Sequence, residues 1–158
     1  MFKIWTEDDQ NAQSASAPKL RQIVFINSAT ALFPFPGYIT YSASKCAVRA
    51  PVDALRMEAL RLSGPMSKYT VHCTFPATIM TPAFLEEQNR KHELTKQIEG
   101  TAGSIKDLFK QHLSPAVAAR IIISGVARGQ FGIAEDCFDS TLVCKCAMYI
   151  PEKRVWHL

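Results

Sequence analysis

Ile23-Val24-Phe25-Ile26-Asn27-Ser28 is an unbroken run of β-branched and aromatic residues that ends in two polar ones. Four consecutive apolar residues of this kind predict a strand that is buried on both faces, which is typical of a parallel sheet. The change to polar residues predicts that the strand ends at Ser28. The stretch therefore places a serine hydroxyl at the carboxyl end of a buried strand.

Residues 41–62 carry apolar side chains at helical spacings and are closed by Ser63-Gly64-Pro65. They predict a long helix, with a kink at Pro51 because proline removes a backbone hydrogen bond and clashes with the preceding turn. Residues 69–75 alternate and favour strand, so they predict a second strand, which Pro76 ends. Strand, helix and strand together predict a right-handed parallel crossover and an α/β fold.

The segments on either side of this unit predict further elements. They are a short helix at 1–5, a polar surface loop at 8–19, a charged helix at 85–99, a short helix at 105–112, a helix that begins after Ser114-Pro115, and a short strand at 131–134. These elements fit one α/β domain.

Composition excludes several classes of protein. The 158 residues suffice for one domain, and 47% hydrophobic with 20% charged residues is an ordinary globular balance. The net charge of +4 is spread along the chain without a run of like charge, so no nucleic-acid partner is predicted. Cys144 and Cys146 lack the two-pair spacing of a zinc site, so no metal is predicted. Neither a signal peptide nor a stretch of the ~18 apolar residues that span a bilayer is predicted.

Three polar side chains are candidates for chemistry. Tyr41 and Lys45 stand four residues apart, so on a helix they share one face. Ser28 precedes Tyr41 by thirteen residues, which is enough for a loop to bring the strand end back over the helix. A Tyr-x-x-x-Lys pair by itself is more often an exposed tyrosine beside a solvated lysine. The strand that ends in serine, and the segment 76–81 after the second strand, favour a site instead.

Together these segments resemble the pattern of the short-chain dehydrogenase/reductase family, which is a serine, then Tyr-x-x-x-Lys, then Pro-Gly-x-x-x-Thr. The resemblance implies the C-terminal half of a Rossmann-like doubly wound parallel sheet with flanking helices, and NADPH as cofactor. It implies Tyr41 as the proton donor to a ketone, Lys45 as the charge that favours the phenolate and holds the nicotinamide ribose, and Ser28 as a hydrogen-bond donor to the ketone oxygen.

The same resemblance implies a set of cofactor-binding residues. They are Tyr41, Lys45, Pro76, Ala77, Ile79 and Thr81. Ile79 and Thr81 would present backbone or hydroxyl groups to the carboxamide and the phosphates. Ala77 stands where the family has glycine, so its methyl group is expected to hinder the cofactor if that position needs a positive φ or a close backbone approach.

Within the family, residues 75–84 and 86–99 resemble the fungal 3-ketodihydrosphingosine reductases, with Ala83 in place of a glycine and His92 in place of a proline. This implies NADPH-dependent reduction of 3-ketosphinganine to sphinganine at the cytosolic face of the endoplasmic reticulum membrane, with peripheral membrane association. The helices at about 83–112 would form a lid over the lipid ketone.

The family's Thr-Gly-x-x-x-Gly-x-Gly loop, which holds the cofactor pyrophosphate at a helix N-terminus, does not occur in the 158 residues. We therefore expect an N-terminally truncated chain that is inactive by itself, with a helix remnant and polar loop at 1–19 and a partial NAD(P)-binding domain at 20–158. The strand at 22–27 would keep an open apolar edge.

Two alternatives stay open. One is a non-catalytic module that pairs with a full-length relative, and the helix at 41–62 would also serve in a homo-oligomer. The other is a short-chain reductase for a different lipid or steroid ketone. His72, His92 and His112 are expected to be packed or surface residues rather than ligands.

Overall fold

The computed structural model describes residues 18–134, and these form an α/β fold around a three-stranded sheet. The strands are β1 (Lys19–Ile26), β2 (Ser67–Thr74) and β3 (Gly132–Ile133), in the order β1-β2-β3 and all parallel. The predicted α/β class is confirmed. The elements predicted at 1–5 and in most of 8–19 lie outside the described residues, as do Cys144 and Cys146.

Five helices and one 3-10 turn connect and flank the strands. They are the turn Ala29–Ala31, α1 (Ile39–Leu62), α2 (Pro82–Arg90), α3 (Glu93–Glu99), α4 (Ile105–Gln111) and α5 (Pro115–Ala127). The long helix, the short helix at 105–112 and the helix after Ser114 are as predicted. Helix α1 includes Pro51, and the kink predicted there stays a prediction.

The register of the sheet brings the two principal strand ends together. Ile26 of β1 pairs with Thr74 of β2, and Thr74 pairs with Ile133 of β3. Because the strands are parallel, all three carboxyl ends meet at one edge of the sheet, which is where ligands bind in open α/β sheets. The residues that follow β1 and β2 are therefore neighbours at that edge.

The predicted burial of β1 on both faces is wrong. Along β1 the side chains alternate, and Leu20, Val24 and Ile26 are exposed at 55%, 38% and 59%. Strand β2 is instead the one buried on both faces, since residues 71–75 are all buried. The sequence of a strand shows which side chains are apolar, whereas their burial depends on which elements pack on each face of the sheet. Within the described part of the chain, one face of β1 is left open.

The core lies between α1 and β2. Val52 and Ala59 of α1 pack in one cluster with β2 side chains that include Tyr69, Val71 and Cys73. Burying a side chain of this size stabilises a fold by about 1.5–3 kcal/mol. This packing fixes the helix against the sheet and so fixes the position of its first turns at the carboxyl edge.

The charged helix predicted at 85–99 is interrupted, so that prediction is wrong in its middle. Lys91 and His92 have extended backbone, with ψ of 136° and 141°, between α2 and α3. His92 Nδ1 accepts a hydrogen bond from the Leu94 N–H at 3.2 Å. A side chain that caps the N-terminus of α3 competes with continuation of the preceding helix, and the charge pattern does not encode that choice.

Candidate active site

Ser28 lies two residues after the end of β1, buried at 9% exposure, and caps the 3-10 turn that follows. Its Oγ accepts hydrogen bonds from the Thr30 N–H at 3.3 Å and from the Thr30 hydroxyl at 3.1 Å. Among the described residues both bonds to this hydroxyl are accepted ones. The Ser28 O–H therefore keeps its own proton available to donate.

Asn27 ties this strand end to α1, and sequence reasoning missed it. Its Nδ2 donates to the Lys45 carbonyl at 3.2 Å, while its backbone N–H donates to the Thr74 carbonyl at 3.0 Å. A second tie is made by Cys46, whose thiol donates to the Ala31 carbonyl at 3.5 Å. The sequence signal for Asn27 was a polar residue just before the candidate serine, at the end of an apolar run.

Tyr41 and Lys45 lie on one face of α1, as their spacing predicts. The Lys45 Nζ is 5.4 Å from the centroid of the Tyr41 ring, which is a cation–π distance. The Tyr41 side chain is 42% exposed, so its phenol is accessible at the edge of the sheet. The arrangement offers a phenol for proton transfer beside a fixed positive charge.

A second tyrosine, which sequence reasoning did not single out, packs against the first. The Tyr38 and Tyr41 ring centroids are 5.9 Å apart at an interplanar angle of 62°. The Tyr38 hydroxyl donates to a Glu87 carboxylate oxygen. Burial, and then the Glu87 and Glu99 carboxylates, raise the pKa of Tyr38 well above its ordinary value. Tyr38 is thus held as a neutral hydrogen-bond donor, a different role from that expected of Tyr41.

The segment after β2 reaches the same edge of the sheet. The Ala29 N–H donates to the Pro76 carbonyl at 3.0 Å, which joins the chain after β1 to the chain after β2. The Thr81 hydroxyl accepts from the Phe84 N–H at 3.1 Å and so caps α2. The other residues expected to bind cofactor here, Ala77 and Ile79, are half-buried.

The expected backbone problem at Ala77 is not found. No non-glycine residue within 18–134 has a positive φ, so the methyl group of Ala77 introduces no strain of that kind. Ala83 lies in the first turn of α2, where alanine is a good helix former. The two departures from glycine are therefore compatible with the backbone that this chain adopts.

The histidines occupy structural positions. His72 is fully buried on β2, with Nδ1 2.6 Å from the Gln130 carbonyl and Nε2 3.2 Å from Gln22 Nε2. Because a carbonyl only accepts, Nδ1 carries the proton and Nε2 accepts from the Gln22 amide. Residues 18–134 hold no cluster of His, Cys, Asp or Glu side chains that could bind a metal ion.

Comparison with known proteins agrees with this architecture. A family model described as short chain dehydrogenase matches residues 16–92. A 3-ketodihydrosphingosine reductase of Saccharomyces cerevisiae is 31% identical over 144 residues, covering 87% of this chain and 40% of that protein. One of Dictyostelium discoideum is 33% identical over 114 residues, covering 72% of this chain and 30% of that protein. The chain therefore spans well under half the length of these curated relatives.

A solved structure shows the same fold. It is a short chain dehydrogenase/reductase from Burkholderia phymatum in complex with NAD, which matches with a TM-score of 0.53 at 22% identity over 78% of this chain and 46% of that one. By these comparisons the chain is similar to members of the short-chain dehydrogenase family over most of its length.

Proposed function

We propose that this chain is the catalytic part of a nicotinamide-dependent oxidoreductase that reduces a ketone. The observation that carries the proposal is the Lys45 ammonium 5.4 Å from the ring of the accessible Tyr41, at the carboxyl edge of a parallel sheet. The match of residues 16–92 to the short chain dehydrogenase family model supports the same chemistry. Ser28 stands at the same edge, tied to α1 through the Asn27–Lys45 hydrogen bond.

In the proposed reaction each of the three side chains has a separate task. The Ser28 O–H donates a hydrogen bond to the ketone oxygen as negative charge develops there. Tyr41 transfers its proton to that oxygen, and the Lys45 charge stabilises the phenolate that is left. The cofactor supplies the hydride to the ketone carbon.

The residues after β2 fit the nicotinamide end of such a cofactor. Pro76, Ala77, Ile79 and Thr81 are half-buried, and their backbone is free of left-handed strain. Pro76 is joined to the chain after β1 by the hydrogen bond from the Ala29 N–H. In the proposal, Lys45 holds the ribose hydroxyls. The proposed cofactor is NADPH rather than NADH, an assignment that rests on the resemblance to the lipid-ketone reductases.

The proposed substrate is a long-chain 3-keto amine of the 3-ketosphinganine type. Relatives named 3-ketodihydrosphingosine reductase match most of this chain, including the helices after β2. Apolar side chains stay exposed on those helices, which suits a substrate with a hydrocarbon chain, and they are Leu94, Ile98, Ile105 and Phe109. The endoplasmic reticulum surface is the proposed location. Among residues 18–134 no helix has the length and apolar character needed to cross a membrane.

Pairing of two copies through α1 belongs to the same proposal. The helix leaves large apolar side chains in solvent, with Ile39 82% and Leu60 54% exposed. A homo-oligomer buries such residues. The molar mass of the purified protein by light scattering tests this, since a monomer at all concentrations contradicts it. If α1 pairs but NADPH does not bind, a non-catalytic interaction module becomes the better description.

The deciding experiment is turnover of a long-chain 3-keto amine with NADPH by the purified protein. Tyr41→Phe should reduce turnover by about two to four orders of magnitude, because it removes the acid and keeps the ring. Lys68→Met, at an exposed position on β2, is the control and should retain activity. Undiminished turnover in Tyr41→Phe contradicts the mechanism. A steroid ketone reduced in preference to the 3-keto amine contradicts the substrate class.

A further inference from the structure

Residues 81–112, called the lid here, leave the fold and return to it at one point. Ile79 forms a parallel bridge with Leu113, and the Met80 N–H donates to the Leu113 carbonyl at 2.9 Å. Helices α2, α3 and α4 lie between these two ends. The two ends of the lid therefore lie side by side, and contacts made by its helices hold it against the rest of the molecule.

Two such contacts reach the turn that leads into α1. Gly37 has φ of +89°, and a Cβ built there would lie 2.8 Å from the Thr95 hydroxyl oxygen of α3, so the backbone and the lid meet without room for a side chain. The Tyr38 hydroxyl donates to Glu87 of α2. Both positions lie within one helical turn of Tyr41, so the lid rests beside the candidate acid.

Lys91, at the break between α2 and α3, joins these parts. Its side chain is 5% exposed, and its Nζ lies 2.6 Å from Glu99 Oε2 and 3.2 Å from Glu87 Oε1. The same ammonium is 5.1 Å from the Tyr38 ring centroid and 5.3 Å from that of Phe84. One buried cation thus bridges α2, α3 and the turn before α1. A buried ammonium is stable only when it is paired, so its partners cannot separate freely.

The hydrogen bonds of the two carboxylates complete this network. Glu87 accepts from Tyr38, and Glu99 accepts from the Thr101 hydroxyl at 3.3 Å in addition to Lys91. Two carboxylates thus share one ammonium, and the hydroxyls of Tyr38 and Thr101 provide the additional hydrogen bonds.

Other groups oppose closure of the lid. Both amide atoms of Gln88 and the Nε2 of His112 are buried without a hydrogen-bond partner within residues 18–134. Leaving such groups unpaired is unfavourable, and an opened lid would let water reach them. The closed position therefore depends on attraction elsewhere. Between the lid and the turn before α1, that attraction comes from the Tyr38–Glu87 hydrogen bond and from the Lys91 ammonium beside the Tyr38 ring, and the Lys91 ion pairs hold α2 and α3 together behind it.

We propose that Lys91 is a positioning residue that holds the lid, through Glu99, Glu87 and Tyr38, against the turn that places Tyr41. The inference rests on the proposed function for its catalytic meaning, because the lid would then enclose the ketone. The mechanical part does not depend on turnover.

Hydrogen–deuterium exchange of the purified chain tests the mechanical part. Lys91→Met keeps the length of the side chain and removes the charge, and Glu99→Gln keeps the shape of its partner. Each should speed amide exchange in residues 82–99 and 37–41 by about tenfold or more, while β2 stays protected. Lys96→Met is the matched control, since Lys96 pairs with Glu93 of the same helix, 3.5 Å away, and it should exchange like the parent.

The double variant separates a charge pair from packing. If Lys91 acts through Glu99, Lys91→Met combined with Glu99→Gln should exchange no faster than Lys91→Met alone. Effects that multiply in the double variant overturn the proposal, as does parent-like exchange in both single variants. Should Lys91→Met lose protection in β2 as well, the isosteric Glu99→Gln decides, and its failure to loosen the lid overturns the proposal.

Kinetics of the purified protein test the catalytic meaning. Lys91→Met should raise KM for the long-chain ketone about tenfold or more with a smaller change in kcat, because the Tyr41–Lys45 pair itself is left in place. A loosened lid with unchanged KM contradicts the positioning role. A loosened lid in a protein with no reductase activity at all contradicts the proposed function and leaves the contact assignment standing.

Discussion

Asn27 donates a side-chain hydrogen bond to the backbone carbonyl of Lys45 across 3.2 Å, which links the end of β1 to the second turn of α1. The two residues are eighteen positions apart. Asn27 directly precedes the candidate serine, Ser28, and Lys45 is the candidate lysine. The bond therefore restrains the distance between two candidate site residues, which local structure alone would leave adjustable.

Asn27→Ala should lower the free energy of unfolding by about 1–3 kcal/mol, because the buried Asn27 side chain and its part-buried hydrogen bond to the Lys45 carbonyl are lost. Urea denaturation measures this. Ser44→Ala is the control, since the exposed Ser44 hydroxyl donates to the Tyr41 carbonyl of its own helix, and its effect should stay within about 0.5 kcal/mol. Equal stability of the Asn27 variant and the parent would show that the bond contributes nothing.

Gly125→Ala should destabilise the fold by about 1–3 kcal/mol through overpacking. Helix α5 approaches β3 closely there, and an added Cβ would lie 2.8 Å from two carbons of the buried Ile133 side chain. Gly64→Ala is the matched control because nothing lies within 4 Å of its added Cβ. Thermal unfolding of the two variants should separate them, and identical midpoints would contradict the close packing.

Cys73 should resist alkylation in the folded protein. Its side chain is fully buried, and burial raises the pKa of its thiol to about 11. The hydrogen bond from Asn27 acts in the opposite direction. Cys46 is exposed on α1. At pH 8, peptide mapping after iodoacetamide should show labelling of Cys73 at least about tenfold slower than of Cys46. Comparable rates would show that the core opens readily.

The stability of the protein should fall as the pH drops below about 6.5, with His112 as one cause. Burial lowers the pKa of His112, and the Glu99 carboxylate opposes that shift. The unfolded chain therefore binds a proton at His112 at a higher pH than the folded chain does. The stability that goes with a neutral His112 is fully present above its ordinary pKa and is lost as the pH falls below that value. His112→Phe keeps a ring against Phe84, 6.5 Å away in the parent, and removes the titration.

Urea denaturation of the parent and His112→Phe at pH 7.5 and pH 5.5 measures the His112 contribution. The parent should lose more stability than the variant over this interval. Parallel losses in the two proteins would assign the acid sensitivity to other groups.

The sequence predicted the elements more accurately than their environments. The apolar run at 23–26, the helical spacing in 41–62 and the alternation at 69–75 each correspond to the observed element type. Hydrophobic periodicity is a local property, so these segments determined their own conformation. The spacing of Tyr41 and Lys45 likewise determined that the two side chains share a helix face.

Burial was misjudged where it depended on distant segments. The apolar run of β1 predicted burial on both faces, yet β2 is the strand that the described helices cover, with β1 on one side of it and β3 on the other. The helix predicted at 85–99 is divided because the His92 side chain caps α3. In both cases the outcome was decided by competition between contacts that a single window of sequence does not contain.

The sequence by itself determined that this chain is an α/β protein with a serine at a strand end and a Tyr-x-x-x-Lys pair on the following helix. The tertiary structure decided that Asn27 fixes the strand end to that helix, and that Lys91 lies beside Tyr38 with two carboxylates around it. The physical reason is that backbone conformation follows from neighbours along the chain. Hydrogen-bond and ion-pair networks are instead set by residues that only folding brings within a few ångströms.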